Sequence, residues 1–260
     1  MQVVLPHFET GAATHVGKVR EKNEDRYLVR PEVGIWMVAD GMGGHLAGEI
    51  ASSMVTEALQ SVGPATSAAE LLAQCEEHII EANRKLREIG RQRGGIVIGT
   101  TVAALLVFET HYACVWSGDS RIYLVRNGEI QQISRDHTEV EELVAEGILN
   151  RAEAKNWPRS NVVTRAIGVH DNPELEMRNG VLEPGDTFLI CSDGLTAHVK
   201  DREILACLVA GAAQEACDKL VELTLQRGAT DNVTVVAAHY HFDDGKTVVP
   251  FARKPSDPWE

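Results

Sequence analysis

Strand-like runs in this chain come in groups, and two pairs of helical segments separate the groups. Asp25–Arg30 and Gly34–Ala39 open the series. The apolar spacing then turns helical over Glu49–Val62 and Ala68–Arg93. A meander follows at Thr100–Phe108, His111–Trp116, Arg121–Arg126 and Glu129–Ile133. Its last two runs flank Asn127-Gly128, a strong hairpin signal because a type I′ turn needs positive φ at both centres. Thr187–Cys191 comes next. A second helical pair, Asp201–Ala210 and Gln214–Gln226, precedes a closing strand at Val233–His239. An alternating β-α order would imply a parallel sheet. Grouped strands and grouped helices imply antiparallel sheets with helices packed outside them, an α+β class.

Arg135–Ala166 interrupts this pattern. It is polar, with short helical stretches at Glu139–Glu146 and Arg151–Trp157, and reads as a flap laid on the sheets. From Asp243 onward the chain holds Pro250, Pro255 and Pro258 without periodicity, and an extended or disordered tail is expected.

Charge narrows the function classes. Among 260 residues, 38 Asp and Glu face 25 Lys and Arg, a net charge of −13. Nucleic acid and anionic membrane surfaces would both ask for the opposite sign. The N-terminus lacks a basic segment followed by an apolar one, so no signal peptide is expected. Ile96–Phe108, the longest mostly apolar stretch, is broken by Gly99, Thr100 and Thr101 and falls short of the ~20 residues a bilayer requires. A cytoplasmic monomer is the expectation. The five cysteines are odd in number, form no C-x-x-C pair and carry no arginine six positions on. They read as buried, inert thiols rather than as a disulfide, zinc or thiol-phosphatase set.

Where the acids fall is more informative. Gly34–Ala39 runs into Asp40-Gly41, and Tyr112–Gly118 runs into Asp119. Thr187–Ser192 runs into Asp193-Gly194, Asp231-Asn232 opens the last strand, and Asp25 opens the first. Any one of these is an ordinary turn or strand cap. Together they place carboxylates where strands of layered sheets share an edge. Clustered carboxylates raise one another's pKa unless a cation neutralises them. An all-oxygen donor set suits Mg²⁺ or Mn²⁺ rather than zinc or copper. More aspartates than one such ion uses point to two or more metals. Metals ~3.5–4 Å apart can activate a bridging water for attack on phosphorus.

Arg20-x-x-Asn23-Glu24-Asp25, Asp40-Gly41-Met42-Gly43-Gly44-His45, Gly118-Asp119-Ser120-Arg121, Ser192-Asp193-Gly194 and Asp231-Asn232 stand in one order. In order and spacing, over about residues 11–240, they resemble the metal-dependent protein phosphatase 2C family. Asp136-His137-Thr138 and the helices after it resemble the flap of its bacterial members. The resemblance implies a four-layer αββα sandwich with two central antiparallel sheets and a catalytic domain over 1–242, the flap at about 135–166 and a tail at 243–260. It implies hydrolysis of phosphoserine and phosphothreonine by direct attack of a metal-bridged water or hydroxide, with phosphoproteins, including a serine/threonine kinase or its substrates, as partners. Asp40 would bridge two Mn²⁺ or Mg²⁺ ions and Gly41 would lend its carbonyl. Asp193 and Asp231 would bind the second ion, and Asp25, with Glu24 less directly, would act through bound water. Asp119 with Asp193 matches a pair holding a third, weaker ion. Arg20 would grip the substrate phosphate, a task suited to a bidentate guanidinium.

Some eukaryotic relatives carry a histidine, proposed as general acid, where this chain has Met42, and methionine cannot donate a proton. His45 and His137 are the alternatives, and neither is assigned. Trp36 and Trp116 read as core, His239 and His241 as part of a half-exposed edge strand, and Glu139, Glu141 and Glu142 as a solvated face. Two competing functions are a phosphatase-like module that only binds phosphoproteins, and a Mg²⁺ phosphohydrolase of small molecules. Loss of core aspartates would mark the first, and none is missing.

Overall fold

The computed structural model describes residues 7–43, 47–154, 157–159, 161–241 and 259. The chain begins with strands β1 (His7–His15), β2 (Asp25–Arg30) and β3 (Ile35–Met42) and helices α1 (Ala47–Gln60) and α2 (Ala68–Gln92). β4 (Gly99–Thr100), β5 (Val102–Phe108), β6 (His111–Ser117), β7 (Arg121–Arg126) and β8 (Glu129–Gln132) form the meander. The flap carries α3 (Glu139–Ala145) and α4 (Arg151–Ala154). β9 (Glu176–Val181), β10 (Thr187–Cys191), α5 (Asp193–Thr196), α6 (Asp201–Leu208), α7 (Ala213–Gln226) and β11 (Val233–His241) complete it.

Two antiparallel sheets result. One has the order β1-β11-β10-β7-β8, the other β2-β3-β5-β6-β9 with β4 paired to β3. Period-two alternation explains the layering. Trp36 and Val38 of β3, with Ala103 and Leu105 of β5, meet Phe188, Ile190 and Val236 of the facing sheet. Their neighbours Ile35, Met37, Val102 and Ala104 point the other way, into a core shared with α1 and α2. Leu189, Val233 and Val235 likewise face α6 and α7. Three cores between four layers require central strands apolar on both faces, which is why these segments read as unbroken hydrophobic runs. Trp36 and Trp116 lie in the middle core, as expected.

Two strands escape a reading of pattern alone. β1 is rich in Gly, Ala and Thr, and β9 is a polar edge strand with most residues open to solvent. Missing β1 has a consequence for β11. That strand is not at an edge but lies between β1 and β10, paired on both sides. His239 and His241 flank Glu9 across the β1 pairing, with His241 Nε2 at 3.2 Å from the Glu9 carboxylate. The five cysteines are free and buried.

The expected acidic solvated face of α3 is also corrected. Glu139 pairs with Arg159 at 2.8 Å, Glu141 with Arg151 at 2.5 Å, and Glu142 accepts from Thr164 at 2.7 Å. These contacts fold the flap onto itself. Most of the expected tail lies outside the described residues, but Trp259 is buried in the core beneath α1 and α2.

Candidate metal centre

The strand ends named above meet at one edge of the sandwich. Asp25 and Asp40 are register partners across β2 and β3. Asp193 follows the end of β10, Asp231 precedes β11, and Asp119 sits in the β6–β7 turn. Asp40, Gly41, Asp119, Asp193, Asp231 and Arg20 line a single cleft of about 320 Å³. Asp25 lies behind it, 1% exposed.

Backbone and hydroxyl groups hold each acid in place. Asp40 N–H donates to Thr101 Oγ1 at 2.9 Å, and its carbonyl accepts from Thr101 N–H at 2.8 Å and Thr100 Oγ1 at 2.9 Å. Thr101 and Ser120 hydroxyls meet at 2.8 Å, linking the Asp40 strand to the Asp119 turn. Ser192 donates to Asp25 Oδ2 at 2.8 Å and accepts from Thr234 N–H at 3.0 Å. Asn232 ties down the segment bearing Arg20. Its amide donates to the Val16 and Lys22 carbonyls, each at 2.9 Å, and its oxygen accepts from Glu24 N–H at 2.8 Å.

The sequence does not disclose these supports. Thr100 and Thr101 show there only as two hydroxyls inside an apolar run. Ser192 and Asn232 stand in the motifs Ser192-Asp193-Gly194 and Asp231-Asn232, but a polar residue beside a turn aspartate is ordinary and does not disclose its partners.

Gly41 marks a close approach of two backbones. A Cβ there would lie 2.1 Å from the Gly48 carbonyl oxygen at the start of α1. Only glycine lets the helix press against this strand. Gly118, at φ +117°, makes the turn that aims Asp119 inward.

Burial and mutual repulsion push the acids upward. Burial, with Asp193 and Asp231 nearby, holds Asp25 at about 7 despite its Ser192 and Thr234 hydrogen bonds. Burial, then Asp193 and Asp136, raises Asp119 to about 8. Asp40 is raised well above the usual range by burial and by all four neighbouring acids. Asp193 is raised by burial and Asp231, against a hydrogen bond from Asp40. Asp25 Oδ1 is buried with no hydrogen-bond partner. Among the described residues no three acidic, histidine or cysteine side chains close on a single point. The acids share one cleft, where their proximity raises them unless a cation neutralises them. An all-oxygen set, an orphaned carboxylate oxygen and a glycine-narrowed strand suit hard divalent ions.

Arg20 reaches the cleft but is engaged there, donating to Asp231 Oδ2 at 2.6 Å. His137 does not face the cleft. It is 1% exposed and packs beside Trp116, its Nδ1 accepting from Gly118 N–H at 3.2 Å. That bond leaves the ring proton on Nε2, which lies 3.2 Å from Glu176 Oε1. His45 lies outside the described residues. Among the described lining residues of the cleft, Met42 is present and no imidazole is.

Comparison with known proteins settles the kinship. The family model described as protein phosphatase 2C matches residues 14–226. This chain belongs to the protein phosphatase 2C family. It is 38% identical over 234 residues to the serine/threonine protein phosphatase PstP of Mycobacterium tuberculosis, covering 89% of this chain and 45% of PstP. It therefore spans about half of that relative's length. Protein phosphatase PhpP of Streptococcus pneumoniae is 32% identical, with 92% of this chain and all of PhpP covered. Among solved structures, PppA of Pseudomonas aeruginosa, titled a key regulatory component of T6SS, superposes with a TM-score of 0.85 at 38% identity, covering 91% of this chain and 99% of PppA. The PstP catalytic domain in complex with two manganese ions gives 0.79 at 35% identity, covering 90% and 99%. Family membership and the four-layer arrangement thus agree with the expectation from the ordered motifs.

Proposed function

We propose that this chain is a metal-dependent protein serine/threonine phosphatase acting on phosphoserine and phosphothreonine. The observation carrying this reading is a cleft where strand ends from both sheets hold four aspartates, three of them raised by burial and mutual repulsion, beside an arginine. Asp40, Asp193, Asp231 and the Gly41 carbonyl are the groups to hold two ions, with Asp119 and Asp193 the pair for a third. Bound Mn²⁺ or Mg²⁺ supplies activation of water and neutralisation of phosphoryl charge.

The protein's own groups do the rest. Asp25, fixed by Ser192, keeps one carboxylate oxygen free to accept a proton or orient water. Arg20 exchanges its pairing with Asp231 for the incoming phosphate, which forks onto a guanidinium better than one carboxylate oxygen does. Thr100 and Thr101 fix Asp40 before substrate arrives, so little reorganisation remains at the moment of reaction. Met42 cannot deliver a proton to the leaving alkoxide, and among the described lining residues of the cleft no imidazole takes its place.

No described helix is long and apolar enough to cross a membrane. Action as a cytoplasmic monomer on phosphoproteins, opposite a serine/threonine kinase, belongs to the same proposal. The names of PstP and PhpP support the phosphoprotein class. The test is hydrolysis of an aryl phosphate and of phosphopeptides with and without Mn²⁺. Turnover that survives exhaustive EDTA treatment rejects the reading. Stoichiometric phosphopeptide binding without turnover would replace it with a binding module.

A further inference from the structure

A second cavity, of about 360 Å³, opens at the root of the flap. Its walls carry four guanidinium groups, Arg121, Arg135, Arg151 and Arg178, against two carboxylates, Asp136 and Glu141. A local excess of positive charge is out of character for a chain of net charge −13.

Two of the four arginines are committed. Arg121 forks onto Asp136 at 2.7 and 2.9 Å, and Arg151 pairs with Glu141 at 2.5 Å. Among the described residues the Arg135 guanidinium reaches only Glu176, at 3.3 Å, and that carboxylate also serves His137 and Arg165. Arg178 is exposed on edge strand β9, and its guanidinium has neither ion pair nor hydrogen bond among the described residues. An isolated exposed arginine is ordinarily just solvated. What sets this one apart is where its cavity leads.

A trough joins the cavity to the metal cleft. Asp119 and Asp193, which line the cleft, form one end of it. Arg121, Asp136 and Glu141, which line the arginine cavity, form the other. The trough offers a peptide with its phosphorylated residue in the cleft a route past acids and toward the unpaired Arg178 guanidinium. Guanidinium favours planar or tetrahedral oxyanions that accept two N–H bonds at once.

We propose that the arginine-lined cavity is a substrate subsite for an acidic side chain, carboxylate or phosphate, flanking the phosphorylated residue on one side only. The proposal rests on the phosphatase reading above. It defines the substrate class further, as phosphoproteins acidic on one flank of the target residue.

Phosphothreonine peptides with a single glutamate stepped through positions on both flanks test this, using the Mn²⁺-loaded enzyme at low ionic strength. The wild type should show kcat/KM raised about fivefold by glutamate on one flank, the size expected of a half-exposed ion pair. Arg178→Glu should abolish or invert the gain, and Arg178→Lys should keep part of it. Aryl phosphate turnover, too short to reach the cavity, should be unchanged in both variants. Salt of about 0.5 M should flatten the wild-type preference. A gain equal on both flanks, no gain in the wild type, or a gain intact in Arg178→Glu overturns the subsite while leaving aryl phosphate turnover in place. Absence of Mn²⁺-dependent aryl phosphate turnover in the wild type overturns the phosphatase reading and the subsite with it.

Discussion

His137 and Gly118 hold each other by two hydrogen bonds. His137 N–H donates to the Gly118 carbonyl at 3.0 Å, and Gly118 N–H donates to His137 Nδ1 at 3.2 Å. Gly118 is the residue before Asp119, and His137 stands where the flap leaves the sheets. The pair therefore couples the flap root to a carboxylate of the metal centre. His137 acts as a positioning residue, not as an acid in the cleft.

The clamp gives the first prediction. His137→Ala removes the acceptor of a buried N–H, an unsatisfied group that costs about 1–3 kcal/mol. The Asp119 turn should loosen, and the Mn²⁺ concentration for half-maximal aryl phosphate turnover should rise about tenfold. His137→Asn offers an amide oxygen near the position of Nδ1 and should recover much of the loss. Equal loss in both variants would show that ring packing on Trp116, not the acceptor, is what matters.

The raised carboxylates set a pH dependence for the metal-free protein. Unfolded aspartates titrate near pH ~4, whereas Asp25 and Asp119 in the fold titrate at about 7 and about 8. Between those limits the folded form holds more protons than the unfolded one, so its stability falls as pH rises. Divalent ions displace the same protons, so Mn²⁺ affinity should strengthen over the same window. Thermal melts in EDTA at pH values between about 5.5 and about 8, compared with Asp119→Asn, isolate this contribution. The wild-type decline should be steeper than the variant's, and parallel curves would contradict the assignment.

Stability and activity should move in opposite directions at Asp40. Its carboxylate faces four others and accounts for much of the repulsion. Asp40→Asn should raise the melting temperature in EDTA while lowering kcat by about 10²-fold or more. A variant that loses stability without metal would mean that the Asp40 carboxylate is favourably bonded in the apo fold.

How far the sequence discloses this site depends on what each residue does. Asp40, Asp119, Asp193 and Asp231 stand out because each ends or opens an apolar run, and their convergence follows from strands that share an edge. The layers are legible for a related reason, since strands buried on both faces must be covered on both. β1 stayed hidden because Gly11-Ala12-Ala13 has too little apolar bulk to show alternation, although a Cβ at Gly11 would strike the backbone of α7 at 2.3 Å. Arg20 was legible as a site residue, but its pairing with Asp231 was not, because the two are 211 positions apart. The buried orientation of His137 was illegible for the same reason, since it depends on a turn 19 residues earlier.

Gly41 should tolerate no side chain. The atom facing its added Cβ is the Gly48 backbone carbonyl, 2.1 Å away, which cannot swing aside as a flexible side chain would. Gly41→Ala must push α1 off β3 and displace the adjacent carbonyl expected to bind metal. Losses of about 2–3 kcal/mol in stability and of Mn²⁺-dependent turnover should appear together. Gly48→Ala meets the same contact from the other side, at 2.6 Å from the Gly41 oxygen, and should reproduce the defect. Normal turnover in both would show that the strand-to-helix contact relaxes at no cost to the centre.

Asn232 should control substrate affinity without touching substrate. Its three hydrogen bonds hold the Val16–Glu24 segment, and Arg20 sits at the middle of that segment. Asn232→Ala leaves one N–H and two carbonyls without partners and frees the loop, so KM for phosphopeptides should rise about tenfold, with kcat reduced less. Asn232→Asp keeps the acceptor for Glu24 N–H but turns a carboxylate oxygen toward the Val16 and Lys22 carbonyls. It also adds a negative charge beside Asp231. Both effects disfavour the native loop, so the aspartate variant should bind substrate more weakly than the alanine variant. Steady-state kinetics on one phosphopeptide decide the order. An aspartate variant as good as wild type would show that Arg20 finds the phosphate without this tether.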